Sequence, residues 1–381
     1  MKSIWKKTGK VAVMVTATMA FGLTGCGGSG GEDSGSDDAA KKDSEAVKVT
    51  LLAGGYGDKS FNDSARAGVE AVEKEYPGKV EINVVDMSTD TKKWQAAMYE
   101  AGDSDTDIIV TGGFQQTDNV QEIAEQYPDK KWISYDTVLD YEAYDLQNVY
   151  SMGYNSNESG YLAGMVAAYV TTSGAEGTNP DKVIGFVGGM ENTPSVDDFL
   201  VGYIEGAQAV DPEIKVVSSY VNNFDDSAKG KEIALSQINS DKVDIIFAAA
   251  GAAGTGCIEA ASDSGTFFIG VDSDQSLEYE GKPEQAVIVT SAMKRVDQSI
   301  INAVGRSLEG TLPYGEYEKL GMKDDCVGIV ENELYEKNVP EAGRTAITQA
   351  ENDLRDGKIE VKSAYDMTSD EVKAMADSAR P

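Results

Sequence analysis

Residues 245–274 read IIFAAAGAAGTGCIEAASDSGTFFIGVDSD and contain one complete strand–helix–strand unit. The apolar run 245–249 predicts a buried strand, the stretch 254–264 a helix, and the apolar run 267–271 a second buried strand that ends at Asp272. This order of elements forms a right-handed βαβ unit of a parallel sheet. Ligands bind such sheets at the carboxyl ends of the strands, which makes Gly251 and Asp272 candidate site residues.

The same alternation extends in both directions along the chain. Towards the N-terminus we predict strands at 47–53, 80–86, 108–111, 131–135 and 149–153, with helices at 62–76, 91–101 and 119–127. From residue 156 onward we predict helices at 156–170, 196–210 and 227–239, and strands at 182–187, 215–220, 327–330 and 359–361. The pattern therefore predicts an α/β chain with two parallel sheets and a polar, helix-like C-terminal segment.

The composition excludes several classes of function. The chain has 33 basic and 65 acidic residues, and its net charge of −32 repels the phosphates of nucleic acids. It contains no histidine, which excludes Ser-His-Asp and Cys-His catalysis and His-ligated metals. An enzyme is therefore disfavoured, and we expect neither a cofactor nor a metal.

The N-terminus predicts export and membrane anchoring. Lysines at the start precede an apolar stretch at 11–23, which is shorter than the roughly 20 apolar residues of a membrane span. The sequence Leu23-Thr24-Gly25-Cys26 then resembles a bacterial lipobox. We predict a signal peptide at 1–25, a lipid on Cys26, and a disordered Gly/Ser/acidic tether over 26–46.

Two further cysteines, Cys257 and Cys326, lie in the part of the chain with the α/β pattern. An extracytoplasmic location permits a disulfide between them. Isolated cysteines among apolar residues are equally often free and buried. The sequence leaves both alternatives open.

Six segments in the same order resemble the basic membrane protein family, whose members are substrate-binding lipoproteins of ABC importers and include purine nucleoside receptors. These segments are GDKSFN at 57–62, IGFVGGMENTPSV at 184–196, SYVNNFDD at 219–226, AAAGAAGTGCIEAA at 248–261, GVDSDQ at 270–275 and TSAMKRVD at 290–297. The resemblance implies the type I periplasmic-binding fold, in which two Rossmann-like lobes are joined by three crossovers. These crossovers are expected near 150–155, 286–290 and 312–317.

From this resemblance we expect an N-terminal lobe of residues 47–154 and 290–314, a C-terminal lobe of residues 155–289 and 315–365, and a polar tail at 366–381. The expected partners are a small-molecule ligand and an ABC permease, and the chain is expected to be a monomer.

The resemblance also implies aromatic contacts to a nucleobase. Phe61 resembles the stacking phenylalanine of the first lobe, and Phe224 resembles the opposing one of the second lobe. Packing against the neighbouring strand is the alternative for Phe61. Phe114 follows Gly112-Gly113 and is expected either to line the pocket or to pack in the core.

Polar candidates follow other predicted strands. Asp136 and Asp272 resemble the carboxylates of the family's cleft, and Lys294 lies between a strand and a helix as in the family. Asn62 and Asp58 flank Phe61, and capping of the following helix is the alternative for Asp58. Without the family, Lys294 would be read equally well as a solvated lysine.

The expected function is therefore that of a purine nucleoside receptor of an importer. A receptor for a sugar or another small solute and a surface sensor without a transport role are the alternatives. An enzyme acting on nucleosides is disfavoured by the missing histidine and by the absence of a GxGxxG motif in the run GAAGTG at 251–256.

Overall fold

The computed structural model describes residues 46–381. The predicted signal peptide, Cys26 and the tether up to residue 45 lie outside the described residues. Between residues 46 and 381, no helix is long and apolar enough to cross a membrane. In this part of the chain, strands and helices alternate as the sequence predicts.

The strands are β1 Val47–Ala53, β2 Val80–Asp86, β3 Ile108–Gly112, β4 Lys131–Tyr135, β5 Val149–Tyr154, β6 Val183–Gly188, β7 Lys215–Tyr220, β8 Ile245–Ala249, β9 Phe267–Asp272, β10 Ile288–Lys294, β11 Tyr317–Leu320 and β12 Val327–Ile329. The helices are α1 Phe61–Glu75, α2 Trp94–Asp103, α3 Thr117–Ala124, α4 Ser156–Thr171, α5 Pro194–Val210, α6 Ser227–Ser240, α7 Ala253–Ser264, α8 Gln275–Glu278, α9 Val296–Leu308, α10 Glu333–Asn338, α11 Glu341–Arg355 and α12 Ser369–Ala379.

The strands form two six-stranded sheets, each the centre of one lobe. The first sheet has the order β11-β5-β4-β3-β1-β2, and the second has the order β12-β10-β9-β8-β6-β7. All pairs are parallel except β10 with β12. The predicted α/β fold with two parallel-stranded lobes is therefore confirmed.

Both faces of the first sheet are covered, because successive side chains of a strand point to opposite faces. On β1, Leu51 belongs to the core cluster on one face, and its neighbour Leu52 belongs to the cluster on the other. Both side chains are essentially fully buried. This burial on both faces explains why the strands appear in the sequence as continuous apolar runs.

The chain passes between the lobes after β5, after β10 and after β11. The first passage agrees with the predicted crossover near 150–155. The predicted positions near 286–290 and 312–317 are wrong, because β10 still belongs to the second sheet and β11 belongs to the first. The expected lobe boundaries change accordingly: residues 290–294 join the second lobe, and residues 317–320 join the first.

The C-terminal region differs from the prediction in one respect. Residues 359–361 form no strand, and the amide Nδ2 of Asn157 instead donates to the carbonyl oxygens of Val361 and Lys362. The predicted polar, helix-like C-terminal segment forms α12, which buries Val372 and Ala376 against the second lobe.

The structure shows whether the two remaining cysteines form a disulfide. Cys257 and Cys326 are both buried and free. Burial raises the pKa of each thiol to about 12. Of the two alternatives, the structure therefore shows free, buried thiols.

Candidate ligand-binding site

A cavity of about 300 Å³ lies between the two lobes, lined from both by residues at or just after the carboxyl ends of strands. Its lining includes every residue predicted as a ligand contact: Asp58, Phe61, Asn62, Phe114, Asp136, Phe224, Gly251, Asp272 and Lys294. The structure therefore brings together side chains that are spread over more than 230 positions of the sequence.

Aromatic rings from both lobes meet at this cavity. The ring of Phe114, after β3, lies 6.1 Å from the ring of Phe224, after β7, at an interplanar angle of 57°. The ring of Phe61 lines the cavity and also lies 5.5 Å from the ring of Tyr135 at the end of β4. Phe61 thus packs on a strand, as its structural alternative predicts, and it also faces the cavity.

The backbone around Phe224 holds its ring in place. The carbonyl oxygen of Phe224 accepts a hydrogen bond of 2.8 Å from the N–H of Ala253 at the start of α7. A Cβ atom on Gly189 would lie 2.2 Å from the ring of Phe224, so a larger residue at this position would displace the ring. Gly251 has a φ of +55°, which L side chains rarely adopt, and a Cβ atom on it would lie 3.5 Å from the carbonyl oxygen of Phe224.

A buried ion pair connects the lobes at the same cavity. The ammonium of Lys294, the last residue of β10, lies 3.2 and 3.3 Å from the two carboxylate oxygens of Asp136, which follows β4. Both side chains are about 5% exposed. The same ammonium lies 5.6 Å from the ring centre of Phe61 and 5.2 Å from that of Phe199. Lys294 is therefore a buried cleft residue and not a solvated lysine.

Asp272, at the end of β9, places another buried carboxylate at the cavity. Ser60 Oγ, in the loop before α1, donates a hydrogen bond to its Oδ2. Burial raises the pKa of Asp272 to about 6, against the lowering effects of Lys294 and Ser60. Asp272 and Asp136 have φ angles of +66° and +54°, a region that aspartate tolerates better than most residues.

Asp58 has a structural role in the loop before α1. Its carboxylate accepts hydrogen bonds from the backbone N–H groups of Ser60, Asn62 and Asp63 and from the side-chain amide of Asn62. Burial raises its pKa. The helix-capping alternative for Asp58 is thus what the geometry shows, although Asp58 and Asn62 also line the cavity.

Sequence reasoning missed several lining residues. Trp94, the first residue of α2, lines the cavity and donates from Nε1 to the carbonyl oxygen of Ser88 at 2.7 Å. Other residues that were not predicted are Thr89, Thr91, Gln115, Gln116, Met190, Ser195, Val196, Phe199, Asn222, Asn223, Asp225, Ala249, Ala252 and Val271. Thr89, Thr91 and Trp94 follow β2. Applying to β2 the rule that ligands bind at the carboxyl ends of parallel strands would therefore have predicted them.

The residues give no indication of a metal centre. Within residues 46–381, no group of three or more Cys, Asp or Glu side chains is arranged to hold a metal ion. Acceptor carboxylates, one ammonium and several aromatic rings suit a neutral, hydroxylated ligand with an aromatic part.

Residues 46–352 match the family model described as "ABC transporter substrate-binding protein PnrA-like". Among curated relatives, the "CD4+ T-cell-stimulating antigen" of Listeria monocytogenes is 30% identical over 93% of this chain and 98% of its own length. The "ABC transporter nucleoside-binding protein BmpA" of Lactococcus lactis is 30% identical over 94% of this chain and 99% of its own. The "Basic membrane protein D" of Borreliella burgdorferi is 32% identical over 81% of this chain and 85% of its own.

Solved structures share the fold. An ABC transporter solute-binding protein from Aeropyrum pernix superposes with a TM-score of 0.73, at 24% identity, over 88% of this chain and 99% of its own. One from Conexibacter woesei superposes with a TM-score of 0.66, at 20% identity, over 84% of this chain and 99% of its own. The two-lobe architecture is therefore that of solute-binding proteins.

Proposed function

Because this chain belongs to the PnrA-like family of ABC transporter substrate-binding proteins, we propose that it captures a purine nucleoside outside the cytoplasm and delivers it to a membrane permease. The observation that carries this proposal is the composition of the cavity. Aromatic rings from both lobes and a group of two carboxylates and a lysine line the same cavity between the lobes.

A nucleoside has two chemically different halves, and the cavity offers a matching set of residues for each. Phe61 from the first lobe and Phe224 from the second provide aromatic faces for the base, where stacking contributes about 1–3 kcal/mol per base. Asp136, Asp272 and Lys294 provide charged acceptors and a donor for the ribose hydroxyls. The cavity volume of about 300 Å³ is within the range of small-molecule sites.

Relatives of the chain support the same ligand class. The Lactococcus lactis relative carries a name that specifies nucleoside binding, and it covers nearly the whole of both chains. The structures with bound sugars, at 16% identity or less, bear on the fold alone.

We also propose that a lipid on Cys26 anchors the chain to the outer face of the cell membrane. The polar segment between Cys26 and β1 would let the receptor, as a monomer, reach the permease. Radiolabelled palmitate incorporation into the chain, and its loss in Cys26→Ser, test the anchor.

The ligand is tested by thermal shift on the purified full chain, freed of co-purified ligand by unfolding and refolding. The panel contains purine and pyrimidine nucleosides, free bases, ribose and other sugars. A ligand at 100 times its Kd should stabilise the chain by about 2.7 kcal/mol, which raises Tm by a few degrees. We expect this shift with a purine nucleoside, and we expect Phe224→Ala and Asp272→Ala to abolish it.

The matched control is Asp129→Ala, because Asp129 is exposed and does not line the cavity. It should keep the full shift. A response to sugars without a response to nucleosides would retain the receptor role and overturn the nucleoside assignment. A nucleoside response that survives in both cavity variants would overturn the proposed site.

A further inference from the structure

Gln116 is a buried amide at the cavity that no prediction included. It ends the short helical turn Phe114–Gln116 after β3 and lines the cavity with its side chain about 2% exposed. Its Oε1 atom is fully buried and has no hydrogen-bond partner in the described part of the chain. No residue between 46 and 381 accepts a hydrogen bond from its Nε2 atom either.

Other buried glutamines of this chain do have partners. Oε1 of Gln121 accepts a hydrogen bond of 2.7 Å from the N–H of Asp140. Nε2 of Gln275 donates to the carbonyl oxygen of Lys59 at 3.0 Å. Oε1 of Gln237 is also buried without a partner, but its Nε2 donates to three acceptors, so that amide is bonded on one side. An amide buried without a partner destabilises the folded chain, so Gln116 is poorly explained as a structural residue.

The position of Gln116 indicates which half of a ligand it meets. It comes two residues after Phe114, whose ring contacts Phe224 across the cleft. Asp136 follows β4, and Asp272 and Lys294 end β9 and β10. In the sheet orders these strands lie nearer the β11 and β12 edges than β3 and β7, which Phe114 and Phe224 follow. Gln116 is therefore placed with the aromatic side chains.

We propose that Gln116 recognises the hydrogen-bonding edge of the ligand's base and sets base selectivity. This inference rests on the proposed nucleoside function. A primary amide presents an acceptor beside a donor, and it pairs with a ring edge that offers a donor beside an acceptor. The 6-amino edge of adenine and the 6-oxo edge of guanine or hypoxanthine both do so, and rotation of the amide by half a turn matches either one.

Isothermal titration calorimetry on the refolded full chain tests this proposal with four probes: adenosine, guanosine, inosine and unsubstituted purine riboside. Purine riboside keeps the stacking surface and the ribose but has no substituent at position 6. Gln116→Met should weaken binding of the three substituted nucleosides by about tenfold or more and should weaken purine riboside less.

A second substitution tests whether the hydrogen-bonding groups of residue 116 decide which purine base is preferred. A glutamate at position 116 is an acceptor only when ionised, so Gln116→Glu should favour guanine, which offers two adjacent N–H groups, over adenine, which offers an acceptor at N1. We expect the ratio of guanosine to adenosine affinity to rise by about tenfold.

The matched control is Gln121→Met, which removes a buried amide that does have a partner. It should lower Tm of the ligand-free chain and leave selectivity unchanged, whereas Gln116→Met should leave Tm unchanged or raise it. Nucleoside binding that Gln116→Met leaves intact, or weakens equally for all four probes, overturns this inference alone. Absence of nucleoside binding by the unmodified chain overturns the proposed function and this inference with it.

Discussion

Asp272 shows how one residue connects the charge of the cleft with the contact between the lobes. Its carboxylate is buried beside Lys294 and accepts a hydrogen bond from Ser60 of the other lobe. Burial raises its pKa from 3.8 to about 6. The folded chain therefore holds this proton more tightly than the unfolded chain, and the resulting stabilisation is complete below about pH 4 and is lost as the pH rises through about 6.

Ligand affinity should change with pH in the opposite direction. The ionised carboxylate is the stronger acceptor for hydroxyl groups, so nucleoside affinity should fall as the pH drops below about 6, approaching tenfold per pH unit. Calorimetry between pH 5 and 8 measures this change, and Asp272→Asn should remove it. Asp197 also has a pKa raised to about 6 by burial but does not line the cavity, so Asp197→Asn should keep the pH dependence. Equal pH profiles for all three proteins would contradict the assignment.

At the scale of elements, α4 and α5 pack with their backbones in direct contact. A Cβ atom on Gly202 of α5 would lie 2.0 Å from the carbonyl oxygen of Asn157 on α4, and one on Gly164 of α4 would lie 2.2 Å from that of Tyr203 on α5. Each helix therefore needs glycine at the positions where the other crosses it. Close packing here brings α4, which follows the first crossover, into the core of the second lobe.

Gly202→Ala should destabilise the chain by about 1–3 kcal/mol or more, because the methyl group meets backbone that cannot move aside. Urea unfolding measures the loss. Gly254 is also helical, but a Cβ atom there would meet only Ala248, at 3.6 Å. Gly254→Ala should therefore be neutral or stabilise by up to about 1 kcal/mol. Equal effects of the two substitutions would show that the helix crossing is not close-packed.

At the scale of the whole molecule, the loop before α1 of the first lobe contacts the second lobe directly. The carbonyl oxygen of Lys59 accepts a hydrogen bond of 3.0 Å from Gln275, and its ammonium lies 4.1 Å above the ring of Tyr279. These contacts join the lobes without any part of a ligand. We expect them to favour the closed arrangement and to slow ligand release.

Lys59→Gln should therefore speed nucleoside dissociation by about 2- to 30-fold, the equivalent of one cation–π contact, with little change in the association rate. Stopped-flow displacement measures both rates. Lys79→Gln is the matched control, because the ammonium of Lys79 lies 5.8 Å from the ring of Tyr76 within the first lobe. If nucleoside dissociation is equally fast in Lys79→Gln, the cause is the loss of a positive charge and not the loss of the contact between the lobes.

Much of the site was predictable because strand ends can be recognised locally. Asp136, Asp272 and Lys294 each end or follow an apolar run, and the structure places all three at the cavity. Gln116 gave no comparable signal, since an amide in a polar loop is ordinary, and its lack of a partner depends on every neighbour in space. Trp94 was missed because the loop after β2 was not considered.

Apolar runs and helical periodicity were sufficient for the α/β class and for most strand positions, because both patterns depend on neighbours along the chain. Which sheet a strand joins depends on residues far away in sequence. The assignment of β10 and β11 to opposite lobes, the absence of a strand at 359–361 and the contact of Lys59 with Tyr279 therefore became visible only in the folded chain. These features arise from packing between distant segments, and local sequence patterns carry no information about such packing.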